Sequence, residues 1–489
     1  MIRRFVFLLL VAVSAITTAQ VPRPTGLRVS APQSSTDSLS QYGITWEFDR
    51  NVQYGTFFNG DYWVVGPVEV IGITPEPSGG RNGSMINPGV FLDDEGRRVM
   101  QAYDERVGWY ASQAVARPPF TLEPGDSLVS TVSMDESADT DGDGYVDDLL
   151  GNRARVSKSN LRTAAVLTVL DSPPAELSFR PPYGGTDKPI IPISSVQWDR
   201  LPDLAPVPGS RPSIAELERL YQRPWLQHIS SSAGEVMHPI MNMPQYHGVI
   251  MSYYRDSLLT VLLDEDKESL VLLMIQNGID AGYVIQHGRC SISMGKGNIL
   301  LAGLLLDHDD LLNVFIDGRN QHDFKEDYMT YFIGDRESEI ESDIYQNAAG
   351  ESFPADYSIG DSFTPPRADM GLWRQRPGHL EHEHLHPSEW HRLADGGDPG
   401  GIKRESYRNV NSPDWVGVSF AMRYLGLEEE WAHPAYFAYM ERWLHQDFSP
   451  FIDVVREDSS ADYHDYDSYQ GNYGSEFTRQ MYDAYGNDL

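Results

Sequence analysis

Ten residues of this chain concentrate acid at regular intervals: Asp139-Thr-Asp141-Gly-Asp143-Gly-Tyr145-Val-Asp147-Asp148. A hard cation such as calcium needs six to eight oxygens, and alternating carboxylates on a turn deliver them. Gly144 permits the sharp bend, the Tyr145 carbonyl would join the shell, and Asp147 or Asp148 would close it. The competing reading is a solvated acidic turn. A second cluster is His379-Leu-Glu-His382-Glu-His384-Leu-His386, followed by His391. On a strand, His382, His384 and His386 share one face; on a helix, His382 and His386 meet at i and i+4. Either geometry suits zinc or a similar borderline metal bound by neutral imidazoles. The spacing matches no defined zinc signature, and the alternatives are an exposed polar loop or histidines lining a sugar cleft.

A third set of reactive groups decorates residues 245–317. Apolar runs at Leu258–Leu263, Leu270–Ile275 and Ile299–Leu306 carry helical spacings of three and four. Polar, ring-bearing and cationic residues fall at the ends of these runs and in the turns: His247, Tyr254, Arg255, Asn277, His287, Arg289 and Lys296. Tyr407-Arg408 stands just before a later helical pattern. Aromatic faces bind sugars by stacking; Trp373 and Trp390, in an irregular stretch, are the platforms this reading selects, whereas Trp431 and Trp443 occupy buried helical positions.

These groups need a scaffold, and the chain supplies two kinds. At 489 residues it exceeds one compact core, so two domains are expected. Arg3-Arg4, the apolar run Phe5–Ile16 and the small residues Thr17-Thr18-Ala19 read as a secretory leader over 1–19, with no later transmembrane segment. Cys290 is the only cysteine, which rules out an internal disulfide. A formal charge of −33, lower still once Arg3 and Arg4 leave with the leader, repels nucleic acid. Together these predict a secreted protein, periplasmic or extracellular.

Residues 25–172 alternate in short runs, with an Asn59-Gly60 hairpin signal, and predict a β-sandwich holding the calcium loop. Arg106–Ala116 is expected as a short helix. The proline-rich 173–212 reads as a connector draped along its neighbours, with Phe179, Tyr183 and Trp198 as anchors. From Ser213, which forms a capping box with Glu216, the pattern is helical to 446, interrupted by an irregular insertion over 318–412. Acidic turns follow helices at 262–266, 305–309 and 425–430, a weak internal repeat. An acidic, tyrosine-rich tail, 447–489, is expected to be poorly ordered near its end.

The acidic loop resembles those of EF-hand, dockerin and thrombospondin-type repeats, departing from the EF-hand at its twelfth position, where Leu150 replaces Glu. The passages QNGIDAGYVIQHGR (276–289), GKGNILLAGLLLDHDDLL (295–312) and DWVGVSFAMRYLGLEEEWAHPAYFAYMERWL (414–444) resemble exported polysaccharide lyases of the alginate and heparin lyase type. That resemblance implies an incomplete α/α toroid after the sandwich and β-elimination of a uronate polymer. The reaction needs a neutraliser for the sugar carboxylate, a base for its α-proton and an acid for the leaving oxygen. Tyr246, His247, Tyr254 and His287 are candidate bases; Asn242, Arg255, Asn277, Arg289 and Arg408 are candidate neutralisers; Tyr407 faces the same cleft. A glycoside hydrolase on the same helices, or a non-catalytic, calcium-stabilised glycan-binding protein of the cell surface, are the alternatives. Oligomeric state is not encoded in any pattern found.

Overall fold

Short alternating segments build the first part of the chain into strands: β1 (Ser35–Gln41), β2 (Ile44–Thr56), β3 (Tyr62–Val65), β4 (Val68–Thr74), β5 (Ser84–Ile86), β6 (Phe91–Leu92), β7 (Arg98–Val99), β8 (Phe120–Leu122), β9 (Ser127–Ser133), β10 (Tyr145–Asp147), β11 (Arg153–Arg155) and β12 (Leu161–Leu170). The computed structural model describes residues 34–89, 91–92, 98–99, 101–108, 110–135, 145–147, 153–155, 161–226, 239–242, 247–287, 295–316, 324–332, 371–373, 406–445 and 471–489. Residues 32–489 pack as one unit. The leader expected over 1–19 lies outside the described residues.

Eight strands form one mixed sheet, curled as a half-barrel, in the order β5-β9-β12-β3-β2-β4-β8 with β1 pairing β2. β12 runs parallel to β3 and antiparallel to β9. The Asn59-Gly60 signal is realised. β2 and β3 pair antiparallel from Thr56↔Tyr62, and Gly60, at φ +85°, donates its N–H to the Phe57 carbonyl at 3.0 Å.

β12 shows why its sequence is a near-continuous apolar run. Ala165, Leu167 and Val169 join a core with Ile44, Trp46 and Val64. Ala164 and Val166, on the opposite face, join a core that continues into the helices through Leu217, Tyr254 and Leu270. A strand buried on both faces loses the apolar–polar alternation of a half-exposed one.

Arg106–Ala116 is not the helix that its sequence led us to expect; among its described residues it holds a 3₁₀ turn at Ser112–Ala114. The Gln101 amide donates to the carbonyls of Asp104 and Val107 and accepts from the N–H groups of Tyr103 and Asp104. The Asp104 carboxylate takes the Arg106 N–H at 3.0 Å. Side chains thereby satisfy backbone groups of a non-helical turn at the start of this segment.

The second half is helical: α1 (Ile214–Tyr221), α2 (His247–Thr260), α3 (Glu268–His287), α4 (Lys296–Leu306), α5 (Asp309–Leu312), α6 (Lys325–Met329), then β13 (Thr330–Phe332) paired with β14 (Gly371–Trp373), and α7 (Ser406–Tyr424), α8 (Glu428–Trp431), α9 (Pro434–His445) and α10 (Glu476–Tyr485). The Ser213–Glu216 capping box is present with both reciprocal bonds. α3 is buried on all sides from Leu270 to Ile285, as expected of a helix apolar all round. Gly278 lets α4 approach, since a Cβ there would lie 2.1 Å from the Asn298 carbonyl oxygen. The tail is not loose at its end: Phe477 and Met481 of α10 are buried, and the Tyr485 hydroxyl donates to the Ala205 carbonyl at 2.7 Å. An acidic, tyrosine-rich composition concealed an amphipathic last helix. Among the described residues no helix is long and apolar enough to cross a membrane.

The connector binds the sheet to the helices through Arg180, which is 1 % exposed. Its Nε donates to Asp61 Oδ2 at 2.6 Å, and its two terminal nitrogens donate to the two oxygens of Asp280 at 2.9 and 2.6 Å. Its backbone N–H and carbonyl pair with the Gln276 side chain at 2.8 and 3.0 Å. Breaking a buried ionic group by removing one member strands the others. Arg180→Ala should therefore cost about 3–5 kcal/mol, read as a lower urea midpoint at unchanged slope. Ser213→Ala, which removes only a cap, should cost about 1 kcal/mol in the same measurement.

Candidate functional site

The chemistry-bearing residues that the structure gathers lie around the first turn of α4. Gly295, at φ +110°, begins that helix, and no side chain caps it from that position. The cap comes from another helix: the Tyr254 hydroxyl of α2 accepts the Gly297 N–H at 2.7 Å. Gly297 leaves the space for it, since a Cβ there would stand 2.6 Å from the hydroxyl oxygen. One residue on, Asn298 Nδ2 donates to Asn277 Oδ1 of α3 at 2.9 Å. Tyr254 and Asn277, singled out by residue type alone, thus meet at adjacent residues of one turn.

Lys296 opens the same turn and is fully buried. Its ammonium pairs with Asp327 Oδ2 at 2.5 Å. Aromatic rings surround it, with centroids of Trp431 at 4.6 Å, Phe315 at 4.7 Å and Phe324 at 5.8 Å. Burial lowers the proton affinity of this amine; Asp327 and then Glu326 oppose that shift. The rings add cation–π attraction to this buried ammonium.

Glu326 stands beside this pair and is 1 % exposed, with neither carboxyl oxygen hydrogen-bonded. Burial, and next the Asp327 charge, push its carboxyl up to about 8, with Lys296 acting in the opposite direction. This shift favours the protonated carboxylic acid at neutral pH. Once ionised, it acts on the surrounding phenols. Burial drives Tyr254 well above the ordinary phenol range, Glu326 adds to the shift, and the Gly297 N–H opposes it. Tyr436 shifts the same way, from burial first and Glu326 second.

The segment carrying the two acids is held from the far side. The Thr330 hydroxyl donates to the Glu326 carbonyl oxygen at 2.5 Å. Its only proton is thus committed, so His433 Nε2, 2.9 Å from that hydroxyl and 3.1 Å from the Thr330 carbonyl oxygen, is the donor to both. Trp431 stacks on Tyr436 at 5.0 Å, and the Tyr436 hydroxyl donates to the Trp415 carbonyl at 2.8 Å.

The other expected residues distribute differently. Arg255 is bound to Asp256 at 2.8 Å and to Asp414, which commits it to holding α2 against α7. Asn242 donates to the carbonyls of Leu220 and Arg223 at 3.0 and 3.3 Å and so closes the end of α1. Trp373, expected as a sugar platform, is 1 % exposed and lies in the core. His247 begins α2, His287 ends α3, and Tyr407 and Arg408 lie in the first turn of α7; their side chains are outside the described residues. So are Tyr246, Arg289, Trp390, the histidines 382, 384 and 386, and the aspartates 139, 141, 143 and 148. Tyr145 and Asp147 are described as backbone, at the two ends of β10, opposite Arg155 and Arg153.

Sequence reading named Lys296 only as a helix-end cation and missed Glu326 and Asp327. The available signal was Phe324-Lys-Glu-Asp327, an apolar residue followed by charges inside the irregular insertion. Comparison with protein-family models, curated proteins and solved structures finds no match to this chain.

The raised Glu326 carboxyl has a consequence for stability. The folded state keeps a proton that the unfolded chain releases near 4.5, so the contribution of Glu326 to stability falls as pH rises from about 4.5 to about 8 and is constant above that. Glu326→Gln should remove this contribution, so that its stability relative to wild type rises by roughly 3–5 kcal/mol between pH 5 and pH 9, measured by urea unfolding of both proteins at the two pH values.

Proposed function

We propose that this chain is an exported carbohydrate-active enzyme that cleaves a uronate-containing polysaccharide by β-elimination. In this reading the helical half is an incomplete α/α toroid and the sheet belongs to a β-sandwich-like domain. The observation that carries it is the convergence of Tyr254 and Asn277 on the first turn of α4, beside a buried Lys296–Asp327 pair and a proton-bearing Glu326. Acid–base cleavage of a polymer needs proton-holding groups with displaced pKa values in one place, and that turn supplies them. His247 and His287 are the bases of this reading. In this reading Asn277, Arg289 and Arg408 neutralise the sugar carboxylate, Tyr407 is a further catalytic candidate, and Trp390 is the stacking platform.

One observation favours a second reading, glycoside hydrolysis. Glu326 is neutral and its neighbour Asp327 is ion-paired, which gives the unequal carboxyl pair that hydrolases use. The product separates the two: elimination leaves an unsaturated uronate that absorbs ultraviolet light, hydrolysis leaves new reducing ends without that absorption, and a binding protein leaves the polymer intact. A panel of uronate polymers should yield the absorbing product; a panel with none refutes elimination.

Asp139, Asp141, Asp143, Tyr145, Asp147 and Asp148 bind a structural calcium ion in this reading, and His382, His384 and His386 a second metal such as zinc. Removing calcium should lower the melting temperature of the wild-type protein. The double substitution Asp141→Ala, Asp143→Ala should abolish that calcium dependence, with differential scanning calorimetry as the measurement.

A further inference from the structure

Among the described residues seven carboxyl side chains are buried, and six have a cationic partner. Asp61 and Asp280 share Arg180, Asp256 and Asp414 share Arg255, Asp104 holds Arg106, and Asp327 holds Lys296. Each of these six has a structural task. Glu326 has none, since both of its oxygens lack a hydrogen-bond partner. A buried polar group left unpaired costs free energy that an amide or apolar side chain of the same size would avoid. Its burial therefore points to work other than holding the fold together.

We infer that Glu326 is the acid that protonates the leaving oxygen when the polymer is cleaved, an assignment that rests on the polysaccharide-cleaving reading above. In the elimination, a base takes the C5 proton of the uronate and later releases it to solvent. The C5–H electron pair becomes the C4=C5 double bond, and the C4–O bond breaks with its pair on oxygen. Glu326 gives that oxygen its proton and is left a carboxylate until solvent reprotonates it. Tyr254 is the poorer donor. Its hydroxyl oxygen is engaged by the Gly297 N–H, and its proton is held far more tightly than neutral pH requires. A carboxyl near 8 has the proton affinity that general acid catalysis favours. Because Glu326 is 1 % exposed, the side chains over it must part when the polymer enters.

The test compares wild type with Glu326→Gln. Wild type on the polymer panel decides the functional reading by itself, through product formation. Where wild type is active, Glu326→Gln should lower kcat by about 100-fold or more, leave KM within about threefold and remove the alkaline limb of the pH–rate profile. A kcat within about threefold of wild type overturns the assignment. A second measurement needs no substrate: the wild-type minus Glu326→Gln infrared difference spectrum at pH 6 should show the carbonyl band of a protonated carboxylic acid, over the band that Asp414, pushed up to about 7, contributes to both proteins. Identical spectra overturn the assignment whatever the polymer results. Should the Gln variant not fold, Glu326→Asp replaces it. The shorter acid should retain a carboxyl band and lose at least about tenfold in kcat, and a wild-type rate overturns the assignment.

Discussion

One guanidinium ties the chain together. Arg180 lies on the connector, yet it is bonded to Asp61 in the turn after β2 and to Asp280 in the middle of α3, while its own backbone is matched by the Gln276 amide. No other group described here joins sheet, connector and central helix at once. The arrangement uses what distinguishes Arg from Lys: a planar fork that meets one carboxylate with two parallel bonds and leaves Nε for another. Burial works against the charge of Arg180, and the two carboxylates more than offset it. The group is consistent only when all three members are present, so it specifies one docking of β3, connector and α3 and penalises the alternatives.

The same logic governs where this acidic protein places its cations. Aspartate and glutamate number 71 against 38 lysines and arginines, yet Arg180, Arg255, Lys267 and Lys296 are all buried. Each is held by carboxylates, by backbone carbonyls or by both. Lys267, for example, donates to the carbonyls of Leu263 and Pro202 at 2.6 and 2.9 Å. The carboxylates that hold these cations are buried with them, so the acidic excess of the composition stays on the surface, which favours solubility and repels polyanions at long range. A uronate polymer would feel that repulsion, and salt would screen it beyond roughly 8–10 Å. Lys296 differs from the others because three rings as well as an acid surround it, and because an uncommitted acid stands next to it. Arg180 and Lys296 are thus two uses of a buried cation. The first is saturated by its carboxylates; the second stands beside a carboxyl that has no hydrogen-bond partner.

The sequence by itself determined whatever depends on neighbours along the chain. Ser213 and Glu216 lie three residues apart and cap α1; Asn59-Gly60 turns a hairpin because glycine accepts a positive φ; apolar residues at helical spacing mark α2, α3 and α4. It also placed Tyr254 and Asn277 in a set of reactive residues. It could not place Glu326 and Asp327, because a carboxyl in an irregular, charged segment reads as solvated until something buries it. Trp373 misled in the opposite sense: in such a segment it reads as an exposed ring, whereas pairing of β14 with β13 carries it into the core. Arg106–Ala116 failed as a helix because of side-chain bonds from Gln101 and Asp104, which spacing does not reveal. Only the tertiary structure decided which charges share a site. Arg180 is separated from Asp61 by 119 residues and from Asp280 by 100, and Lys296 from Asp327 by 31. Burial, and with it the displacement of proton affinities, belongs to the packed chain and to no local stretch of it.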